Sequence, residues 1–287
     1  MAAPRPGHYH LTMHDALNPT RAMGGAAGAA FEIVPGDAAA GLILLCDHAS
    51  NHVPSEYGSL GLPPSEFTRH IAYDIGAEAL TRALAVRFGV PAVLSHFSRL
   101  LIDPNRGLDD PTLIMRLSDG AVIPRNARID AAEREHRIER FYRPYDDAVT
   151  RTIDAGMTTG RIPMILSIHS FTPLWKGVPR PWHAGILWDA DPRLAQPLIA
   201  GLAADPAIVV GDNEPYHGAL KGDTLYRHAT RRGLAHALVE IRQDLIADPA
   251  GVAEWTDRLA NVLVDLRIGE APHKVQFFGS LADSRPT

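Results

Sequence analysis

The sequence predicts an α/β fold in which one buried sheet lies between helical layers, and three observations carry that prediction. Residues Leu42–Cys46, 162–168 and 237–239 form short unbroken apolar runs, the character of strands covered on both faces. Segments with apolar residues at helical spacing alternate with these runs, which is the ordering of a layered α/β chain. A length of 287 residues with 46% hydrophobic content is enough for one substantial core.

Taken in order, the first strand ends at Cys46 and is followed by Asp47-His48. Residues 75–88 read as a helix, with Ile75, Ala79, Leu80, Ala83, Leu84 and Phe88 on one stripe, and Gly89-Val90-Pro91 separates it from a strand at 92–94. Asp130 caps a charged surface helix running to 155 with an interruption at Pro144, and this helix leads into the strand that stops before His169. A strand at 183–188 precedes Asp191-Pro192, a cap with proline in the first turn, which opens a helix to 204. A strand near 208–210, a helix over 224–232 stopped by Gly233, and a strand at 235–241 ending in Glu240-Ile241 come next. Asp248-Pro249 opens the last helix, whose buried stripe is Val252, Trp255, Leu259, Val262, Leu263 and Leu266. The expected organisation is a loose arm at 1–30, a single α/β domain at 31–270 and a tail at 271–287.

A net charge of -5 and the lack of a dense basic cluster argue against a nucleic-acid partner. The single cysteine, Cys46, excludes an intramolecular disulfide and points to a reducing, cytoplasmic setting. No apolar stretch approaches the roughly 18 to 20 residues of a membrane span, and the first 30 residues lack the apolar core of a secretory signal.

The chemistry is expected where the marked strands end. His48 and His169 each follow an apolar run and Glu240 ends a third, so the carboxyl ends of three strands would bring two imidazoles and a carboxylate to one crevice. That is the composition of a catalytic zinc site, which takes three protein ligands and leaves a position for water. For the third ligand Asp74, at the start of the following helix, is the first choice. Asp47 leaves its strand on the side opposite His48, and Asn51 offers only a neutral amide. With 14 histidines in the chain, the competing view is that such a pair is ordinary surface chemistry. His10, His52, His96, His136, His217 and His273 are read as structural or solvated, and His70 as a residue that orients a ligand. Glu240 is read as a general base or, alternatively, as an ion-pair partner of Arg242 or Arg99. Neither Ser50 nor Ser170 lies in a Gly-x-Ser-x-Gly elbow, which disfavours a serine route.

These residues sit in stretches that together carry a family resemblance. They are Cys46-Asp47-His48-Ala49-Ser50-Asn51-His52-Val53-Pro54, His70-Ile71-Ala72-Tyr73-Asp74-Ile75-Gly76, Ser98-Arg99-Leu100-Leu101-Ile102-Asp103-Pro104-Asn105-Arg106, Ser167-Ile168-His169-Ser170-Phe171, Gly211-Asp212-Asn213-Glu214-Pro215-Tyr216 and Val239-Glu240-Ile241-Arg242-Gln243-Asp244. In this order, across residues 41–268, the chain resembles the N-formylglutamate amidohydrolase family. That family is distantly similar to zinc carboxypeptidases and to zinc amidases that cut N-acetylmuramoyl-alanine bonds. The resemblance implies a phosphorylase/hydrolase-like three-layer fold, with a central mixed sheet flanked by helices. It implies one Zn2+ per chain held by His48, Asp74 and His169, with Glu240 as base, although an Asp replaces the amidases' Glu and lies farther along the chain.

The resemblance further implies hydrolysis of an N-formyl or other short N-acyl amino acid such as N-formylglutamate. Arg99, Arg106 and Arg242 would hold substrate carboxylates, and Asn105 and Asn213 would orient the amide. The alternative for the arginines is internal pairing, of Arg99 or Arg106 with Asp103 and of Arg242 with Asp244. For Asn213 the alternative is turn chemistry. An amidase acting on a different N-acyl amino acid or peptide, and a non-catalytic metal-binding protein of the same fold, are the rival readings.

Overall fold

Strands β1 (Phe31–Val34), β2 (Leu42–Cys46) and β3 (Ala92–Ser95) precede a small hairpin, β4 (Leu117–Ser118) and β5 (Ala121–Val122). Strand β6 (Met164–Phe171) precedes a second hairpin, β7 (Leu174–Trp175) and β8 (Val178–Pro179), and β9 (Ala184–Leu187), β10 (Val210–Asp212) and β11 (His236–Arg242) follow. Seven of them hydrogen-bond into one sheet in the order β1-β3-β2-β6-β11-β9-β10. The four central strands β3, β2, β6 and β11 are parallel, whereas β1 runs antiparallel to β3 and β9 antiparallel to β11, so the sheet is mixed. This computed structural model describes residues 29–283. The arm expected at 1–30 lies outside the described residues except for its last two positions, and His10 lies outside with it.

The two-residue period of a strand sorts the apolar side chains of β2 between two cores. Leu42, Leu44 and Cys46 join one core with helices α1 (Ala77–Phe88), α4 (Pro192–Ala203) and α6 (Pro249–Ile268), through residues such as Leu80, Leu84, Leu198, Trp255 and Leu259. Ile43 and Leu45 join the other with α3 (Arg143–Met157) and α5 (Thr224–His228), through Tyr145, Val149, Ile153 and Leu225. A helix α2 (Ala131–Arg137) precedes α3. The fold is therefore the three-layer α/β arrangement with a central mixed sheet. Every residue of β2 is fully buried, and each such Leu or Ile contributes about 1.5–3 kcal/mol relative to exposure.

Several boundaries differ from the sequence reading for local reasons. Helix α1 starts at Ala77, two residues late, because Gly76 at φ 81° lies in the left-handed region and ends the turn that carries Asp74. The helix expected over 130–155 is two helices joined by a π turn, Ile138–Tyr142. Pro144 has no N–H to continue an α-helical ladder, and the Arg143 N–H reaches back five residues to Ile138 O instead. The helix expected over 224–232 breaks after His228 into the short 3-10 turn Thr230–Arg232. The segment expected as a tail is tied down as far as residue 283: Gln276 N–H donates to Gly233 O at 2.8 Å, Leu281 N–H to Asp189 Oδ1 at 2.8 Å, and the Arg193 guanidinium covers the Phe278 ring. Among the described residues no helix is long and apolar enough to cross a membrane.

Candidate functional site

The site is built from one row of the sheet and the turns beyond it. In the β6–β11 register Glu240 lies directly beside His169, and in the β11–β9 register it lies beside Gly185. Directly paired residues project to the same face, here the face covered by α3 and α5. His48 comes from the turn after β2 and Asp74 from the turn before α1, and Asp74 N–H donates to His48 O at 3.0 Å, which locks the two turns together.

His48, Asp74 and His169 are all buried, and each offers one donor atom within 4.8 Å of the others. Both imidazoles turn Nδ1 toward Asp74 Oδ2, at 3.3 Å for His48 and 2.8 Å for His169, with the rings 4.9 Å apart and nearly perpendicular. Each ring is held from behind through Nε2, by Asp103 at 2.7 Å for His48 and by Asp47 at 3.0 Å for His169. A carboxylate that takes the Nε2–H fixes the tautomer and leaves Nδ1 to act as a ligand. Asp47 also accepts hydroxyl hydrogens from Tyr145 at 2.9 Å, Thr224 at 2.7 Å and Ser167 at 2.9 Å. Burial alone would raise the Asp47 carboxyl, but the hydrogen bond and charge of His169 hold it well below its usual range. Burial likewise opposes the low value of Asp74, which His48 and His169 bring about. For His169 burial works against the proton, and Asp47 and Asp74 outweigh it, lifting the ring to about 10.

Glu240 is buried beside this cluster, and its Oε2 has no hydrogen-bond partner among the described residues. Burial pushes its carboxyl up to about 7, against the opposing charge of His169. Two nitrogen donors, one carboxylate, two carboxylates holding the far ring nitrogens and an unpartnered buried carboxylate alongside suit a divalent ion such as zinc. His48, Asp74, His169 and Glu240 all line a cavity of about 290 Å³. The two hairpins contribute to its lining, through Ser118 and Asp119 of the first and Trp175 of the second.

The remaining expected residues divide between the cavity and its supports. Arg99 lines the cavity, with Nη2 donating to Asp103 Oδ2 at 2.8 Å and Nη1 lying 3.6 Å from Asp74 Oδ1. Asn105 and Arg106 also line it. Asn105 Oδ1 accepts from Thr224 N–H at 3.0 Å, and Arg106 donates through Nη1 to Asn105 O and through Nε to Thr112. The cavity wall does not include Asn213 or Arg242. Asn213, at φ 53°, spends its Oδ1 on the N–H groups of Trp188 and Gly218, and Arg242 pairs with Asp244 and with the carbonyl of Trp182. Asn51 is exposed and donates to Phe67 O, away from the cluster, so Asp74 is the carboxylate beside the two histidines. His70 and His217 line the cavity without touching the cluster's donor atoms, and Ser170 Oγ donates to Ile75 O. The sequence reading gives Asp103 only as an ion-pair partner and Asp47 only as a weaker ligand. The available signal is that both are carboxylates next to apolar runs, as Glu240 is.

A mixed sheet with this cluster puts the chain in the class of α/β proteins with a candidate metal centre at the strand ends. Within that class it belongs to the N-formylglutamate amidohydrolase family, whose model matches residues 40–247. The gene product Atu2144 from Agrobacterium tumefaciens is 35% identical, with a TM-score of 0.76 over 83% of this chain and 96% of that chain. N-formylglutamate amidohydrolase from Ralstonia eutropha JMP134 is 24% identical and shares the fold, with a TM-score of 0.64 over 85% of this chain and 98% of that chain. No curated protein matches the sequence.

Proposed function

We propose that the protein hydrolyses the amide of an N-formyl or other short N-acyl amino acid, such as N-formylglutamate, to the free amino acid and formate or a short acid. A zinc ion held by His48, Asp74 and His169 would serve as the Lewis acid that polarises the amide carbonyl and acidifies water. The observation that carries this reading is the unpartnered Oε2 of Glu240 beside that cluster. A carboxyl raised to about 7 is poised both to take a proton from attacking water and to return it to the departing nitrogen. Arg106 supports recognition of an anionic substrate, since its Nε and Nη1 are engaged by Thr112 and Asn105 while Nη2, without a hydrogen-bond partner among the described residues, remains for a carboxylate. Asn105, whose Oδ1 is taken by Thr224, has its amide NH2 to offer the substrate. Arg99, tied to Asp74 and Asp103, stabilises the cluster and adds positive charge to the same wall.

The test is metal analysis combined with amino-acid release from a panel of N-formyl and N-acetyl amino acids, for the wild type and Glu240→Gln. Both proteins should carry about one zinc per chain, and the variant should lose turnover by about 10²–10⁴-fold. Undiminished turnover in the variant removes Glu240 from the reaction. Failure of the zinc-loaded wild type on every amide removes the function.

A further inference from the structure

We propose that Tyr216 is a catalytic residue whose hydroxyl donates a hydrogen bond to the substrate's amide oxygen as that oxygen gains negative charge, and that Arg180 is the residue that positions it. This rests on the amidohydrolase reading above and adds a group that it leaves out.

The sheet itself makes room for Tyr216 beside the reacting groups. The row His169, Glu240, Gly185, Gly211 runs across four neighbouring strands in direct register. Its last two members have no side chain, and the loop after β10 folds into that space. A Cβ on Gly185 would lie 2.0 Å from Glu214 O, and one on Gly211 would lie 2.6 Å from the same atom. Two positions farther along that loop, Tyr216 reaches the wall of the cavity that holds Glu240 and Asp74. The residue is 44% exposed and lines that cavity.

Arg180 determines which way the hydroxyl faces. This guanidinium is buried against the faces of Phe171 at 5.6 Å, Trp175 at 5.2 Å and Tyr216 at 5.1 Å. Its hydrogen bonds go to Thr172 and, at 3.0 Å, to the Tyr216 oxygen, and none of the described carboxylates is among its partners. A phenol oxygen that accepts from a cation must direct its own proton elsewhere, and the cavity is the open side. Burial and then the nearby charge of Glu240 keep the phenol protonated, so it acts as a donor. A preorganised donor of this kind acts mainly on the transition state, where the charge on oxygen develops.

The experiment measures kcat and KM separately for the zinc-loaded wild type, Tyr216→Phe, Arg180→Gln, Arg180→Lys and the Tyr216→Phe/Arg180→Gln double variant on the best N-acyl amino acid. Tyr216→Phe is expected to lower kcat by about 10²–10³-fold and change KM by less than about threefold. Arg180→Gln should lose part of that factor, Arg180→Lys should recover most of it, and the double variant should be no slower than Tyr216→Phe alone, because Arg180 acts through the hydroxyl. A kcat for Tyr216→Phe within about twofold of wild type, or a loss confined to KM, overturns the proposal even where Arg180 variants fold poorly. An active wild type with an unaffected Tyr216→Phe defeats this proposal alone; a wild type inactive on every N-acyl amino acid defeats the functional reading, and this proposal falls with it.

Discussion

Behind each imidazole of the cluster stands a buried aspartate, and the two differ in what else they do. Asp103 accepts from His48 Nε2 and the Asn105 N–H on one oxygen and from Arg99 on the other, whereas Asp47 collects three hydroxyl donors besides His169. Burying a carboxylate is costly unless it is saturated in this way, so Asp47 is anchored independently of any metal. Asp103→Asn is therefore expected to leave the fold intact and weaken zinc binding by about 10–100-fold in competition against a chromophoric chelator; an unchanged affinity would show that Asp103 does not tune the ligand. His48, His169, Glu240 and Asp74 are legible in the sequence because polar residues interrupt apolar runs or open the helix that follows one. The roles of Asp47 and Asp103 are not, because each is defined by a partner 122 or 55 positions away that only the packed chain brings near. Asn213 and Arg242 share the motif segments, yet their side chains are consumed by the loop and the strand end.

Among the elements, the strands with continuous apolar runs are the ones that the sequence reveals, since β2, β6 and β11 are buried along both faces. The edge strand β1 escapes because three of its four residues are only partly buried, Ile33 is exposed and they carry no such run, and the hairpins escape because each contributes strands of two residues. The loop after β10 crosses the paired glycines so tightly that a Cβ on Gly185 would lie 2.0 Å from Glu214 O. Gly185→Ala should therefore push that loop outward, costing about 1–3 kcal/mol in urea denaturation and reducing turnover by displacing Tyr216; a variant of wild-type stability and rate would mean that the loop yields without consequence.

For the molecule as a whole, the site is a balance of buried charges set between two apolar cores, and that balance is sensitive to pH. His169 rises from 6.5 to about 10 on folding because Asp47 and Asp74 hold its proton against the cost of burial. The stability this provides is complete below 6.5, the value in the unfolded chain, and is lost as pH climbs through about 10. Chelator-treated protein should accordingly lose more stability across that window than chelator-treated His169→Gln, read as the urea midpoint, and parallel curves for the two would refute the assignment. The His48, Asp74, His169 and Glu240 cluster belongs to the ends of the central strands and the turns beyond them, whereas the two short hairpins that line the same cavity are separate from the seven-stranded sheet. Under the proposed function, lengthening or exchanging the first hairpin would change which molecules the cavity admits and leave the His48, Asp74, His169 and Glu240 cluster in place, whereas the second also carries Trp175, on which Arg180 stacks.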